Sequence, residues 1–165
     1  MIIKPIAIFG NVGFLCQASP NETRKVSLGS DGLVTYGLYY IVKGRAVNYV
    51  EETGEVVSDR DAGWLSLEHS DAGASTAGTL ISTYVEETEW VCIHRDKNPR
   101  GLANYSSLVV EVGETIRLAN NSNIFLVRGK LRIGDQEFTG PKQVRIRSGD
   151  VQGQVIEKIY ALRVS

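Results

Sequence analysis

Side chains able to do chemistry are few in this chain, and most of them fall in one short stretch, Trp90-Val91-Cys92-Ile93-His94. Alternate residues of an extended strand share a face, so Trp90, Cys92 and His94 would point the same way, and Cys92 with His94 would make a workable metal-ligand pair. The one other histidine, His69, would have to approach from elsewhere in the fold to complete a set of His69, Cys92 and His94. Two protein ligands fall short of the count a metal site demands. Cysteine is also among the most buried residue types. The reading adopted is therefore that Trp90 and Cys92 face a core and that His94 caps the strand beside Arg95 and Asp96, with no metal or other cofactor.

Nucleophilic and acid-base chemistry find less support. Ser27, Ser66, Ser70 and Ser75 are present, but none sits in a strand-turn-helix elbow with a helix behind it. Cys92 and His94 do not become a dyad by adjacency alone, because the roles need convergent geometry and a third, orienting group. The acids Glu51-Glu52 and Glu86-Glu87-Glu89 fall where turns are expected, Glu52-Thr53-Gly54-Glu55 reading as a hairpin loop. Gly73-Ala74-Ser75-Thr76-Ala77-Gly78 lacks the Gly-Lys-Ser/Thr ending of a phosphate loop and reads as a flexible loop. No catalytic residue is assigned. The tyrosines Tyr36, Tyr39, Tyr40 and Tyr49 cluster, and alternation puts Tyr39 and Tyr40 on opposite faces, so one of the two is expected at the surface or in a subunit contact.

The bulk properties narrow the setting. The chain has 165 residues, 42% hydrophobic and 22% charged, with 18 Lys and Arg against 19 Asp and Glu. Size scaling lets a chain of this mass bury about two-thirds of its surface without staples. A net charge of −1 creates no field that would draw the chain to nucleic acid or to anionic lipid. Cys16 and Cys92 are too few and too far apart for a disulfide framework, so a reducing compartment is expected. The apolar stretch from Ile6 to Cys16 is broken by Asn11 and two glycines and is too short to span a bilayer.

The positioning elements read as strands. Short β-branched or aromatic runs recur between turn residues: Leu38 to Val42, Ala46 to Val50, Trp64 to Leu67, Thr79 to Val85, Glu89 to His94, Leu108 to Val112, Thr115 to Leu118, Ile124 to Val127, Lys130 to Ile133, Gln143 to Ile146 and Lys158 to Val164. The last segment also carries a helical spacing at Val151, Val155, Ile159 and Leu162, and the strand is preferred. Many short strands at this spacing predict an all-β sandwich or barrel. Tyr40-Ile41-Val42-Lys43-Gly44-Arg45-Ala46 recurs in chemical type as Phe125-Leu126-Val127-Arg128-Gly129-Lys130-Leu131, each copy followed by an Ala62-Gly63-Trp64 or Ser148-Gly149-Asp150 step. The expected organisation is an N-terminal arm or first strand over 1–23, a β module over 24–95, a linker over 96–105 and a second, smaller β module over 106–165.

Ile41-Val42-Lys43-Gly44, then Val47-Asn48-Tyr49 with Glu51-Glu52-Thr53-Gly54, then Glu86 to His94, resemble the cupin superfamily, and are similar in particular to the cupin-like proteins of tailed bacteriophages. The resemblance implies tandem jelly-roll, cupin-like β-sandwich modules, the second one shorter. It departs from metal-dependent cupins, whose His-x-His pair and acid before the glycine are absent ahead of Gly44 and of Gly129. What it then implies is a non-catalytic structural or assembly protein of a virion (head decoration, neck or tail accessory), found in the virion and in the host cytoplasm during assembly. Its partners would be itself, as a homo-oligomer, and other virion proteins, with no nucleic acid or membrane, and Tyr39 and Tyr40 are the expected interface. The alternative is a small-molecule or carbohydrate-binding cupin, or an enzyme with an atypical pocket, lined by Tyr36, Trp64, Trp90 and His94.

Overall fold

The computed structural model of the chain describes residues 1–26, 36–50, 52–69, 79–94, 105–147 and 149–164. All regular structure among them is β, and the chain divides into two compact units, Met1–Pro99 and Arg100–Ser165. The all-β expectation holds, and the C-terminal segment with its double periodicity is a strand. Most strand positions were legible because β-branched runs end on turn residues.

In unit 1 a five-stranded antiparallel sheet takes the order β1 (Ile2–Ile8), β2 (Asn11–Ala18), β9 (Thr88–His94), β4 (Tyr36–Lys43), β7 (Leu65–His69). A four-stranded sheet takes the order β3 (Thr23–Val26), β8 (Thr79–Thr83), β5 (Arg45–Val50), β6 (Val56–Asp61). Residues 1–23 are thus not a free arm: β2 lies hydrogen-bonded between β1 and β9, with Cys16 opposite Trp90 and fully buried. The N-terminal ammonium pairs with Glu22, tying the start of the chain to the turn before β3. Ala46 and Ala62, on or beside the smaller sheet, pack against a cluster of Cys16, Ala18, Tyr39, Ile41, Trp90 and Cys92 on the larger one. That cluster is the inner core of a sandwich.

Unit 2 is a single six-stranded sheet built on two long strands, β12 (Asn123–Ile133) and β15 (Val151–Val164). β14 (Lys142–Arg145) pairs with the first part of β12 and β13 (Gln136–Thr139) with its last part. Likewise β11 (Thr115–Leu118) pairs with the start of β15 and β10 (Tyr105–Val110) with its end. The register between β12 and β15 shifts three times between Leu126 and Leu131, and such irregularities bend and twist a strand. Its apolar core includes Leu118, Ile124, Leu126, Leu131, Val155 and Ile159.

Apart from β1, which has no counterpart in unit 2, pairing in the two units corresponds. β4 and β5, interrupted at Gly44, do what β12 does as one strand bent at Gly129, and β8 and β9 do what β15 does. β6 and β7 match β13 and β14, while β2 and β3 match β10 and β11. The downstream part of the sequence repeat was out of step. Gly63 sits at the β6–β7 corner, where unit 2 has Gly140, whereas Gly149 precedes β15. The loop Gly73–Gly78, the serines Ser27, Ser70 and Ser75, and most of the expected linker lie outside the described residues.

Candidate functional site

Strand β4 organises the inner face of unit 1. Its register puts Ile41 opposite Trp90, Tyr39 opposite Cys92 and Ser66, and Gly37 opposite His94 and Glu68. Trp90 and Cys92 therefore share one face, as alternation predicted. His94 is the backbone partner of Gly37, and His69 that of Tyr36, one register step away. His94 stands two register rows from Trp90, ~13 Å at strand rise. Side chains of Tyr36, His69 and His94 lie outside what the structure describes.

The side chains that are described form a closely packed cluster. Trp90, Cys92 and Cys16 are essentially inaccessible to solvent, and Tyr39 is buried beside them. Burial pushes the Cys92 thiol well above its usual range, and the neighbouring Cys16 thiol pushes the same way against a smaller opposing effect of the Trp90 indole and the Tyr39 hydroxyl. A thiol so held is a poor nucleophile. Among the described residues no three His, Cys, Asp or Glu come together.

Tyr39 and Tyr40 correct the interface expectation. Both are buried, at 7% and 0% exposure. Alternation separates them as predicted, but β4 is covered on both faces: Tyr40 shares its buried side with Val42, Val91 and Ile93. Opposite faces mean one exposed residue only where one face meets water.

What the sequence did not single out is Arg60. It pairs with Ala46, so it springs from the inner side of the smaller sheet. Its guanidinium lies 4.9 Å from the centroid of Trp64, which is 53% exposed, and Nη1 donates to the Asp59 carbonyl at 3.0 Å. Trp64 is fixed at this corner by backbone bonds, Ile41 N–H donating to Trp64 C=O at 3.1 Å and Gly63 N–H to Ile41 C=O at 2.7 Å. Trp64 thus meets Arg60 through its ring and, through its backbone, Ile41, the register partner of Trp90. Trp90 Nε1 and Arg60 Nε are both buried with no hydrogen-bond partner. The Trp90 N–H lies near enough to Cys92 to favour its thiolate, yet it does not meet hydrogen-bonding geometry. Arg60 was hidden in Val56-Val57-Ser58-Asp59-Arg60-Asp61, whose charges mask a strand.

On the outer side of the same sheet, Arg45 donates through Nε and Nη2 to Asp59 at 2.8 Å each, and Tyr84 donates to Asp59 at 3.0 Å. The guanidinium also lies 4.5 Å over the Tyr84 ring. Arg45 first, and Tyr84 after it, hold the Asp59 carboxyl below the usual carboxylate range. These groups satisfy one another, which marks a structural network.

Comparison with known proteins bears on this arrangement through the fold alone. Over 99% of its length the chain superposes on 92% of YhaK from Escherichia coli, with TM-score 0.60 and 13% identity. It covers 80% of oxalate decarboxylase from Lactobacillus farciminis in its formate complex, with TM-score 0.56 and 9% identity, and 81% of YlbA from E. coli, with TM-score 0.54 and 9% identity. What the chain shares with these structures is a cupin-like, all-β jelly-roll fold. No protein-family profile and no curated sequence matches the chain. At these identities the likeness carries the cupin jelly roll and no activity.

Proposed function

We propose that this cupin-fold protein binds a small molecule in the interior of unit 1, at the corner bordered by Trp90, Arg60 and Trp64. The observation that carries the reading is the pair of buried donors without partners, Trp90 Nε1 and Arg60 Nε. Leaving a buried donor unmet costs about 1–3 kcal/mol, so such groups call for an acceptor. Both groups donate, which selects a ligand presenting oxygen acceptors, a short carboxylate or a sugar hydroxyl cluster, between aromatic walls. The described core of unit 2 is apolar throughout, which supports looking for a ligand of these two donors in unit 1. The alternative role in a virion loses its interface pair, since Tyr39 and Tyr40 are interior. The experiment is a titration of the full chain with acetate, oxalate, glucose and galactose, following melting temperature and tryptophan fluorescence. Saturable stabilisation by one probe, lost in Trp90→Phe, supports the reading, and indifference to all four removes it.

A further inference from the structure

At one end of unit 2 a cleft of about 310 Å³ opens between the turn joining β11 to β12 and the end of β15, with Arg117, Leu118, Asn120, Ser122, Arg163 and Val164 among its walls. Arg163 stands opposite Ser106 and Ile124, two positions beyond Ala161, and both Ile124 and Ala161 belong to the core. Its side chain thus starts from the core side of β15, where the core gives way to the cleft. Arg163 is partly buried, and among the described residues it makes neither an ion pair nor a hydrogen bond. A partly buried arginine lays its stem along apolar surface and leaves its charged head available, here at the cleft, to an anion.

The second arginine is already committed. Arg117 Nη2 donates to Asp150 Oδ2 at 2.9 Å, and the Asn120 backbone N–H donates to Asp150 Oδ1 at 3.0 Å. The Asn120 N–H and Arg117 together hold the Asp150 carboxyl below the usual carboxylate range, so it remains an anion that neutralises Arg117. One positive charge, that of Arg163, is left over. Beside it lie Leu118, at 1% exposure, and the half-buried Val164. A planar fork with five donors next to an apolar floor matches a carboxylate borne on an apolar body.

We infer that this cleft is a binding site for a small organic monocarboxylate, the carboxylate on Arg163 and the apolar part over Leu118 and Val164. The site shares no residue with the corner in unit 1 and stands or falls without it.

The test is calorimetric and NMR titration of the full chain with sodium benzoate at constant ionic strength. Saturable one-to-one binding is expected, with shifts at the Arg163 Nε resonance and the Leu118 and Val164 methyls. Arg163→Gln is expected to weaken binding about tenfold or more with its melting temperature unchanged, Arg163→Lys to weaken it less, and Trp90→Phe not to alter it. Three results would overturn the inference: no saturation by benzoate, binding unaffected by Arg163→Gln, or inorganic phosphate binding more tightly than benzoate, which would mean that charge alone is read. The ligand-induced shifts in the unmodified protein decide the matter even where a variant fails to fold.

Discussion

Gly44 and Gly129 hold the same place in two separate units: each has a positive φ, +80° and +103°, and each is pressed against the backbone of the strand opposite. A Cβ on Gly44 would come within 2.6 Å of the Glu87 carbonyl oxygen, and one on Gly129 would overlap the Lys158 carbonyl oxygen. Gly113, at φ +84°, has open space around the same position. Alanine at Gly113 therefore incurs only left-handed strain, about 1–2 kcal/mol. Alanine at Gly44 or Gly129 adds a backbone collision, for an expected loss of about 4 kcal/mol or more. Urea denaturation of the three variants checks the order, and equal losses would contradict the close approach.

Burial of Tyr40 gives a second expectation. Tyr40→Ala removes a fully buried ring and is expected to destabilise the protein by about 3–5 kcal/mol, whereas Trp64→Ala at an exposed corner costs far less. Thermal melts at two protein concentrations make the comparison. A mild Tyr40→Ala that changes only the oligomeric state would restore Tyr40 to an interface.

The outer network of unit 1 sets a pH dependence. Arg45, and Tyr84 after it, lower the folded-state pKa of Asp59. A depressed carboxylate contributes stability that is present above its unfolded value, about 4, and is lost as pH falls through the lower folded value. Asp59→Asn is expected to lower the melting temperature at pH 7 by about 1–3 °C, a small effect because the pair is solvent-screened. Once pH has fallen below the lowered folded-state value, the curves of the two proteins should converge. A gap that widens in acid would reverse the sign of the argument.

Which parts of this were legible follows from what each signal measures. Thr115 to Leu118 was readable to the residue because a β-branched alternation ends on turn residues. β6 and β13 were missed, since Val56-Val57-Ser58-Asp59-Arg60-Asp61 and Gln136-Glu137-Phe138-Thr139 carry charge where a strand template expects apolar residues. Residues 1–23 read as an arm or a first strand because the glycines and Asn11 break the apolar run, and those are the residues of a hairpin turn and its flank. The glycine at the crossing of two strands was correctly seen twice, because both its neighbours and its chemistry repeat.

The site was less legible for a different reason. Alternation along one strand is local and put Trp90 and Cys92 on one face correctly. Whether His69 and Tyr36 join them depends on which residues pair across strands, and one step of register moves a side chain to the other face. Tyr39 and Tyr40 failed on the same kind of fact, since nothing within a single strand says that both faces are covered. Arg163 carries no motif: it became noticeable only when its row proved to be that of Ile124.

Trp90→Phe separates packing from binding. Phenylalanine keeps one of the two fused rings and loses the pyrrole with its unpartnered N–H, so the expected stability loss is that of a modest core truncation, about 1–2 kcal/mol. Chemical denaturation without ligand measures it. A loss above about 4 kcal/mol, more than such a cavity accounts for, would mean that the indole N–H is hydrogen-bonded within the folded protein.

The most direct measurement concerns the Trp90 indole itself. With two tryptophans in the chain, a 15N-labelled sample has two indole N–H resonances, from Trp64 and Trp90. Titration with acetate, oxalate, glucose and galactose should move the Trp90 resonance saturably with at least one probe, and the shift should disappear in Arg60→Gln. A Trp90 indole that stays in place with all four probes, while showing a cross-peak to a resident water, would assign the orphaned donors to that water and contradict the binding site in unit 1.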